Sequence, residues 1–318
     1  MNKELTKRKD VVPGPPSRLT KTTKMIRRCA MLYVMILPAV VAMAIFHYYP
    51  IYGIQIAFKN YRNNLGIWGS EWVGLKWFKK FWDYPYFWKM IRNTLWISVR
   101  GLLNFPLPII FAIMLHEMKT PKLKRVCQQL TYAPYFISVV VLCSMITAFV
   151  RLEGGLINII IEKFGGEAIN FLALPKAFPE IMAISGLWQG LGWSTIIYLA
   201  TLSGVSPELV EAAEIDGASR MQVIWHVYIP HILPTVITLF ILNMGSLLSV
   251  GFDKVFLLQN ALNKESSSII ATYTYEIGLL KAEYSYSTAI GLFNSLVNIV
   301  VISTFNFISK KVTKISMW

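Results

Sequence analysis

Four acids crowd residues 204–229: Glu208, Glu211, Glu214 and Asp216, with Arg220 the single base among them. Paired carboxylates can move protons or hold a metal ion, but both tasks need partners at a set spacing. No histidine or other metal ligand stands at a useful distance along this stretch. The sequence also lacks a G-x-x-x-x-G-K-[ST] phosphate loop, an H-E-x-x-H pair, paired cysteine ligands and a candidate triad. The chemistry left to these acids is recognition. Glu211 and Glu214 bracket Ala212 and Ala213, so charge is offered beside side chains small enough for a partner surface to come close. A solvated amphipathic connector fits the same residues, and residue chemistry alone leaves both readings open.

The local pattern around the acids is helix, turn, helix. Ser206 suits an N-cap, Pro207 the first helical position, and Glu208 the positive end of the helix dipole. Leu209, Val210, Ala212, Ala213 and Ile215 continue a short helix over 207–216. Gly217 should stop it, because glycine enters the left-handed region without steric cost. Asp216 is then expected to cap a second helix over 218–228, before Pro230 opens the next apolar segment.

A second candidate set lies inside apolar segments, where polar groups are costly and often face a cavity. It comprises Arg100 and Asn104, then Trp188, Gln189, Trp193, Ser194 and Thr195, then Asn243 and Ser246, and finally Asn294 and Asn298. The two tryptophans could stack on a sugar ring. Interhelical hydrogen bonds or packing would account for the same residues. Arg100 could snorkel to headgroups or face a pore, where it would suit an acidic solute.

These residues must be positioned by membrane-spanning helices. The chain has 318 residues, 55% hydrophobic and only 15% charged, where soluble domains carry about 25% charged residues; mean hydropathy is +0.49. Apolar segments at about 29–49, 93–116, 126–150, 177–203, 230–250 and 285–308 are each about 20 residues or longer, enough to cross a bilayer as helix. They are too long and continuous for barrel strands. The fold class expected is all-α: a polytopic membrane protein with six transmembrane helices. This composition excludes a disordered chain and a disulfide-stapled secreted module.

The net charge of +14 would suggest nucleic acid in a soluble protein. Here it reads as the basic loops that fix membrane orientation, with no nucleic-acid partner. Lys119, Lys122, Lys124 and Arg125 crowd one short loop, and both termini are basic, so both ends are placed in the cytoplasm. Residues 1–24 read as a flexible basic tail ahead of a transmembrane domain over 25–318. The first apolar segment has no small-residue cleavage site and reads as an anchor.

Other features carry structural expectations. Trp68, Trp72, Trp77, Trp82 and Trp88, interleaved with Lys76, Lys79 and Lys80, read either as an interfacial helix or as a sugar-stacking platform. Pro38, Pro106, Pro108, Pro134 and Pro234 should kink spans. Gly186 and Gly190 form a G-x-x-x-G expected to support close helix packing. Cys29, Cys127 and Cys143 have no metal spacing and read as packing residues. The four histidines, His47, His116, His226 and His231, lie near span ends or in the acidic loop and read as interfacial or packing residues.

The acidic stretch also resembles a known family. Glu211, Ala212 and Ala213, followed by Gly217 and Pro230, match the EAA loop of permease subunits of binding-protein-dependent ABC importers; Val227 and Ile229 depart conservatively from its Ile-x-Leu-Pro tail. Asp216, Ala218 and Gln222 fit the sugar-importer version. HYYPIYGIQIAFKNY (47–61), GFDKVFLLQN (251–260), TYTYEIGLL and YSYSTAIGLFNSLVN are similar to the complex-oligosaccharide, LplB-type branch of the maltose-permease-like group. The resemblance covers about residues 25–318.

It implies a type I importer permease that forms half of a translocation pore for an oligosaccharide and carries no nucleotide site or bound cofactor. Its implied partners are a second, usually different, permease, two cytoplasmic ATPases holding ATP and Mg, and an extracytoplasmic solute-binding protein. The coupling residues implied are Glu211, Ala212, Ala213, Glu214, Asp216, Gly217, Ala218, Gln222 and Pro230, with Glu211 meeting an ATPase arginine. A permease of the same fold for a non-sugar solute, or a membrane-embedded glycolipid enzyme, are the competing readings. The second would need clustered acids or histidines at one membrane face.

Overall fold

The structure, a computed structural model, describes residues 29–314 and 316; the basic tail expected over 1–24 lies outside them. The chain divides into two units, one ending at Gln55 and the other starting at Ile56. In the first, α1 (Ala30–Met43) carries Pro38 in its interior. Helical turns continue through Ala44–Tyr48 and Tyr49–Phe58. The whole run Ala30–Phe58 has 29 residues and is apolar enough to cross a membrane.

The second unit opens with a two-stranded antiparallel ribbon, β1 (Lys59–Asn60) and β2 (Glu71–Trp72), pairing Lys59 with Trp72. One turn, α2 (Gly66–Gly69), joins them, and α3 (Lys76–Trp82) follows. The aromatic segment therefore divides its labour. Phe81 and Phe87 are buried in the core, and the Trp77 indole donates to the Lys59 carbonyl at 2.9 Å. Trp68, Trp72, Trp82 and Trp88 stay exposed. A single interfacial helix is not formed, because alternate aromatics are spent on packing.

Next come α4 (Phe87–Leu102) and α5 (Pro106–Glu117). They bend little enough that Phe87–Glu117 counts as one 31-residue span. Pro106 and Pro108 sit at the start of α5, where a missing N–H costs nothing. The segment expected to cross continuously over 126–150 does not. Instead α6 (Pro121–Tyr132) and a 3-10 turn (Ala133–Phe136) meet α7 (Val139–Val150) at 102°. Pro134 lies in that turn, and Ser138, extended, caps α7 by accepting from the Val141 N–H. A proline followed by a new N-cap ends one helix and starts another.

A short helix, α8 (Leu156–Lys163), precedes the long α9 (Ala177–Leu202). The loop around α8 is held by Asn158, only 1% exposed. Its amide donates to the Arg151 and Ile169 carbonyls, each at 2.9 Å, and its oxygen accepts from the Ile169 N–H. Helix α10 (Pro207–Ile215) follows α9 across a 74° bend. Then α11 (Arg220–Val223), a π turn (Ile224–Tyr228) and α12 (Ile229–Gly245) run on as one 26-residue span. The second helix expected over 218–228 is thus the first turns of a span. Pro230 has no N–H to give the preceding turn, and the widened π turn just before it takes up the mismatch.

Three short helices, α13 (Phe252–Leu258), α14 (Lys264–Ser267) and α15 (Ile270–Tyr275), lead to the 30-residue α16 (Tyr284–Thr313). Among the described residues four helices are long and apolar enough to cross a membrane, and six spans result when each bent pair counts as one.

Three apolar clusters hold the second unit together. One joins α4, α7, α9 and α13 through Ile97, Leu142, Phe178 and Val255. Another joins α3, α4, α15 and α16 through Phe81, Phe87, Ile270 and Tyr286. The third packs Ala112 of α5, Tyr198 and Leu202 of α9, and Ile232 of α12 around the base of the acidic segment.

The glycines of α9 correct a sequence expectation. Gly186 and Gly190 have open space where a side chain would stand, and both line a cavity. The close approach is at Gly192, where a β-carbon would overlap the Thr131 carbonyl and come within 2.6 Å of the Tyr132 ring. Two residues along a helix is roughly half a turn, so Gly192 faces α6 while the G-x-x-x-G faces the void.

Candidate functional site

The acidic segment forms the short helix that its sequence calls for. Ser206 is extended, Pro207 is the first helical residue and Glu208 lies in the first turn. Gly217 adopts φ +80°. The Ala218 N–H reaches back to the Ala213 carbonyl at 2.9 Å, and the Gly217 N–H to Glu214 at 3.1 Å. This 6→1 closure satisfies carbonyls that a helix end leaves open. Asp216 does not cap the next helix. That role falls to Ser219, whose N–H donates to Gln222 Oε1 at 2.7 Å. The tight turn at Gly217 consumes Asp216 as the end of α10, which moves the cap of the next helix from Asp216 to Ser219 and its start from residue 218 to Arg220.

The helix shows two faces. Val210, Ala213 and Ala218 pack on the third apolar cluster. Glu208, Glu211, Ala212, Glu214 and Asp216 face out, and so do Gln222 and Pro230. Leu209 and Ile215 are exposed too, Ile215 to 86%. A shallow hollow of about 260 Å³, bounded by Ala213, Gly217, Gln222 and His226, opens beside them. The outer face of α10 thus interleaves exposed acids with large exposed apolar groups. Among the described residues no cluster of His, Cys, Asp and Glu could hold a metal ion.

The second site is a cavity of about 480 Å³ between α4, α5, α9 and α12. Asn104, Trp193, Asn243 and Ser246 line it, as does Ser194. Asn104 donates to the Ala183 carbonyl at 2.9 Å, and Asn243 to Leu239 at 2.8 Å. Each spends one amide hydrogen on backbone and keeps its side-chain oxygen for another donor. The Ser246 hydroxyl donates to the Asn243 carbonyl at 3.1 Å. Trp193 stacks flat on Tyr135 with centroids 4.4 Å apart. The wall thus offers an aromatic plate and fixed amides, the fittings that hold sugar rings and hydroxyls.

Other residues of that set lie elsewhere. Gln189 donates at 3.1 Å to the Ile137 carbonyl, freed by the break between α6 and α7. Thr195 is buried, its hydroxyl bonded to Leu191 at 2.6 Å. Trp188 is exposed away from the cavity. Asn298 bridges the Leu248 N–H and the Ser249 hydroxyl. Asn294 Oδ1 is buried without a hydrogen-bond partner among the described residues and does not line the cavity.

Arg100 departs most from expectation. Its Nε lies 2.9 Å from Glu180 Oε1, though not aligned as a hydrogen bond, and its guanidinium covers the Trp96 ring at 4.8 Å. The cation is neutralised within the chain and does not line the cavity. Arg100→Leu should lower stability by only about 1 kcal/mol, because both partners are partly exposed. Arg100→Leu with Glu180→Leu should recover most of that loss in thermal unfolding.

A cation that sequence reasoning passed over is Lys254. It is half-buried beside Ser185, with Nζ 3.4 Å from the hydroxyl. Burial pulls its pKa below the ordinary lysine value. Its lone placement in GFDKVFLLQN gave no local signal, because the neighbours that bury it come from α7 and α9.

A bundle of apolar spans, with an exposed acidic elbow and a largely apolar cavity that carries a few polar groups, is the architecture of a polytopic membrane protein. The chain belongs to the family described as binding-protein-dependent transport system inner membrane component, whose model matches residues 104–314. It is 42% identical over 281 residues, 88% of each chain, to the polygalacturonan/rhamnogalacturonan transport system permease protein YteP of Bacillus subtilis. It is 41% identical over 287 residues, 90% of each chain, to protein LplB of the same organism. Among solved structures it is similar to a chain of a bacterial ABC transporter involved in import of the acidic polysaccharide alginate. That likeness has a TM-score of 0.84 and 34% identity, and covers 92% of this chain and 99% of that one. It is equally similar, at the same TM-score, identity and coverage, to a chain in the structure of a bacterial alginate ABC transporter in complex with an alginate pentasaccharide-bound periplasmic protein.

Proposed function

We propose that the chain forms one half of the translocation pore of an ABC importer for oligosaccharides, with uronate-containing fragments as its substrate class. The observation that carries this is the cavity lined by Asn104, Trp193, Asn243 and Ser246, in a chain similar over nine-tenths of its length to permeases named for galacturonan and alginate. Both polymers bear a carboxylate on their rings. Arg100, bound to Glu180, supplies no free charge for them.

In this reading a second, different six-span permease completes the pore. Two ATPases carry ATP and Mg beneath it, and a solute-binding protein delivers the sugar from outside. The permease itself holds no cofactor, and both of its termini and residues 204–229 lie in the cytoplasm. Helix α10 sits in a cleft of one ATPase, with Glu211 against an arginine. Closure of the ATPase dimer tilts the spans as rigid bodies and exchanges inward- for outward-facing states.

Uptake into proteoliposomes holding the full importer tests the substrate. Trigalacturonate should enter with ATP hydrolysis, and faster than maltotriose. Equal or preferred uptake of maltotriose would remove the acidic class. Uptake of neither, with import of a peptide or amino acid, would remove sugars altogether.

A further inference from the structure

The segment 206–228 touches the rest of the protein almost wholly through apolar groups: Val210, Ala213, Ala218, Val223 and Val227 on the third cluster. The apolar driving force is non-directional. One side-chain hydrogen bond, the only one among the described residues that ties this segment to a distant part of the chain, interrupts that pattern. The Tyr228 hydroxyl donates to Glu117 Oε1 at 2.8 Å. Tyr228 is only 4% exposed. The neighbouring His116 ring meets the Tyr228 ring edge-on, with centroids 5.0 Å apart.

The two ends of this bond sit at mechanically distinct places. Glu117 is the last residue of α5, at the end of the Phe87–Glu117 span. Tyr228 is the last residue of the π turn through which the acidic segment enters α12. A hydrogen bond to a carboxylate is directional, and stronger than one between neutral groups. It fixes the α5 end to the one point where the elbow becomes a span.

We infer that the Tyr228–Glu117 hydrogen bond is a positioning pin. It makes the Phe87–Glu117 span move with the elbow, so that a stroke delivered to α10 reaches that span as well as α9 and α12, to which the elbow is joined along the chain. This rests on the coupling role proposed above for α10. Tyr228 and Glu117 act as positioning residues and touch neither nucleotide nor solute.

The test is the ratio of solute imported to ATP hydrolysed by the reconstituted importer. The probe is whichever of trigalacturonate and maltotriose the wild type imports. Tyr228→Phe removes only the hydroxyl, and should lower the ratio about fivefold or more while ATP hydrolysis persists. Glu117→Leu should do the same. Glu117→Gln, which keeps an accepting oxygen, should stay near wild type. The double variant Tyr228→Phe with Glu117→Leu should be no worse than either alone, as for two halves of one contact.

An unchanged ratio in Tyr228→Phe, equal damage from Glu117→Gln and Glu117→Leu, or additive losses would overturn the pin. If Tyr228→Phe fails to assemble with the ATPases, the contrast between the two Glu117 variants decides. Glu211→Lys, run alongside, separates the two levels. Normal import by that variant removes the coupling role itself, whereas its loss with an intact Tyr228→Phe removes only the pin.

Discussion

Glu211→Lys should abolish ATP-driven import while leaving the chain inserted in the membrane and its partners bound to each other. Glu211 is exposed on α10 and makes no ion pair among the described residues. The fold around it is secured by backbone closure at Gly217 and by Val210 and Ala213 beneath. Reversing its charge therefore leaves the protein's own stability almost unchanged. In the proposed assembly the carboxylate is partly desolvated against an arginine. Breaking such a pair costs about 3–5 kcal/mol, and a lysine adds repulsion. Import should fall about 100-fold or more, since each 1.4 kcal/mol is a factor of ten. ATP hydrolysis by the purified complex, measured beside uptake, should persist without solute movement.

Gly192→Ala should be the most damaging of the single methyls added at Gly186, Gly190 and Gly192 of α9. Its β-carbon would overlap the backbone of Thr131 and crowd the Tyr132 ring. Backbone cannot yield as a flexible side chain does, so α9 and α6 must separate. Overpacking usually costs about 1–3 kcal/mol, and a backbone clash belongs at or above the upper end. Gly186→Ala and Gly190→Ala meet nothing within 4 Å and should stay within about 1 kcal/mol of wild type. Thermal unfolding in detergent checks the contrast. Equal damage at all three glycines would contradict the assignment of faces on α9.

Which parts of this were readable from the residues follows from the range of the forces involved. Lipid imposes length and polarity on every span locally, so the apolar segments announce themselves. The turn at Gly217 was legible because φ +80° favours glycine. Ser219 as cap was missed because Asp216 is an equally good capping residue. Only the 6→1 closure, which uses Asp216 to finish α10, decides between them. The break at residues 137–138 lies inside an unbroken apolar run. Pro134 hinted at a kink, but not at the 102° turn.

The candidate site divides the same way. The acidic segment is local and its spacing carries the signal. The cavity is assembled from α4, α5, α9 and α12, and polar residues within those helices could be named but not aimed. Arg100 looked free because Glu180, which neutralises it, lies on another helix. Gln189 looked like a pore residue because the broken carbonyl at Ile137 that it satisfies was invisible in sequence.

The most direct measurement places the exposed elbow relative to the bilayer and the ATPase. Ile215→Cys, in a chain with Cys29, Cys127 and Cys143 replaced by alanine, puts one thiol at the most exposed apolar position of α10. On intact cells an impermeant maleimide should leave it unlabelled; after permeabilisation it should label, and bound ATPase should protect it. Labelling on intact cells, or labelling indifferent to the ATPase, would contradict a lever driven from the cytoplasmic side.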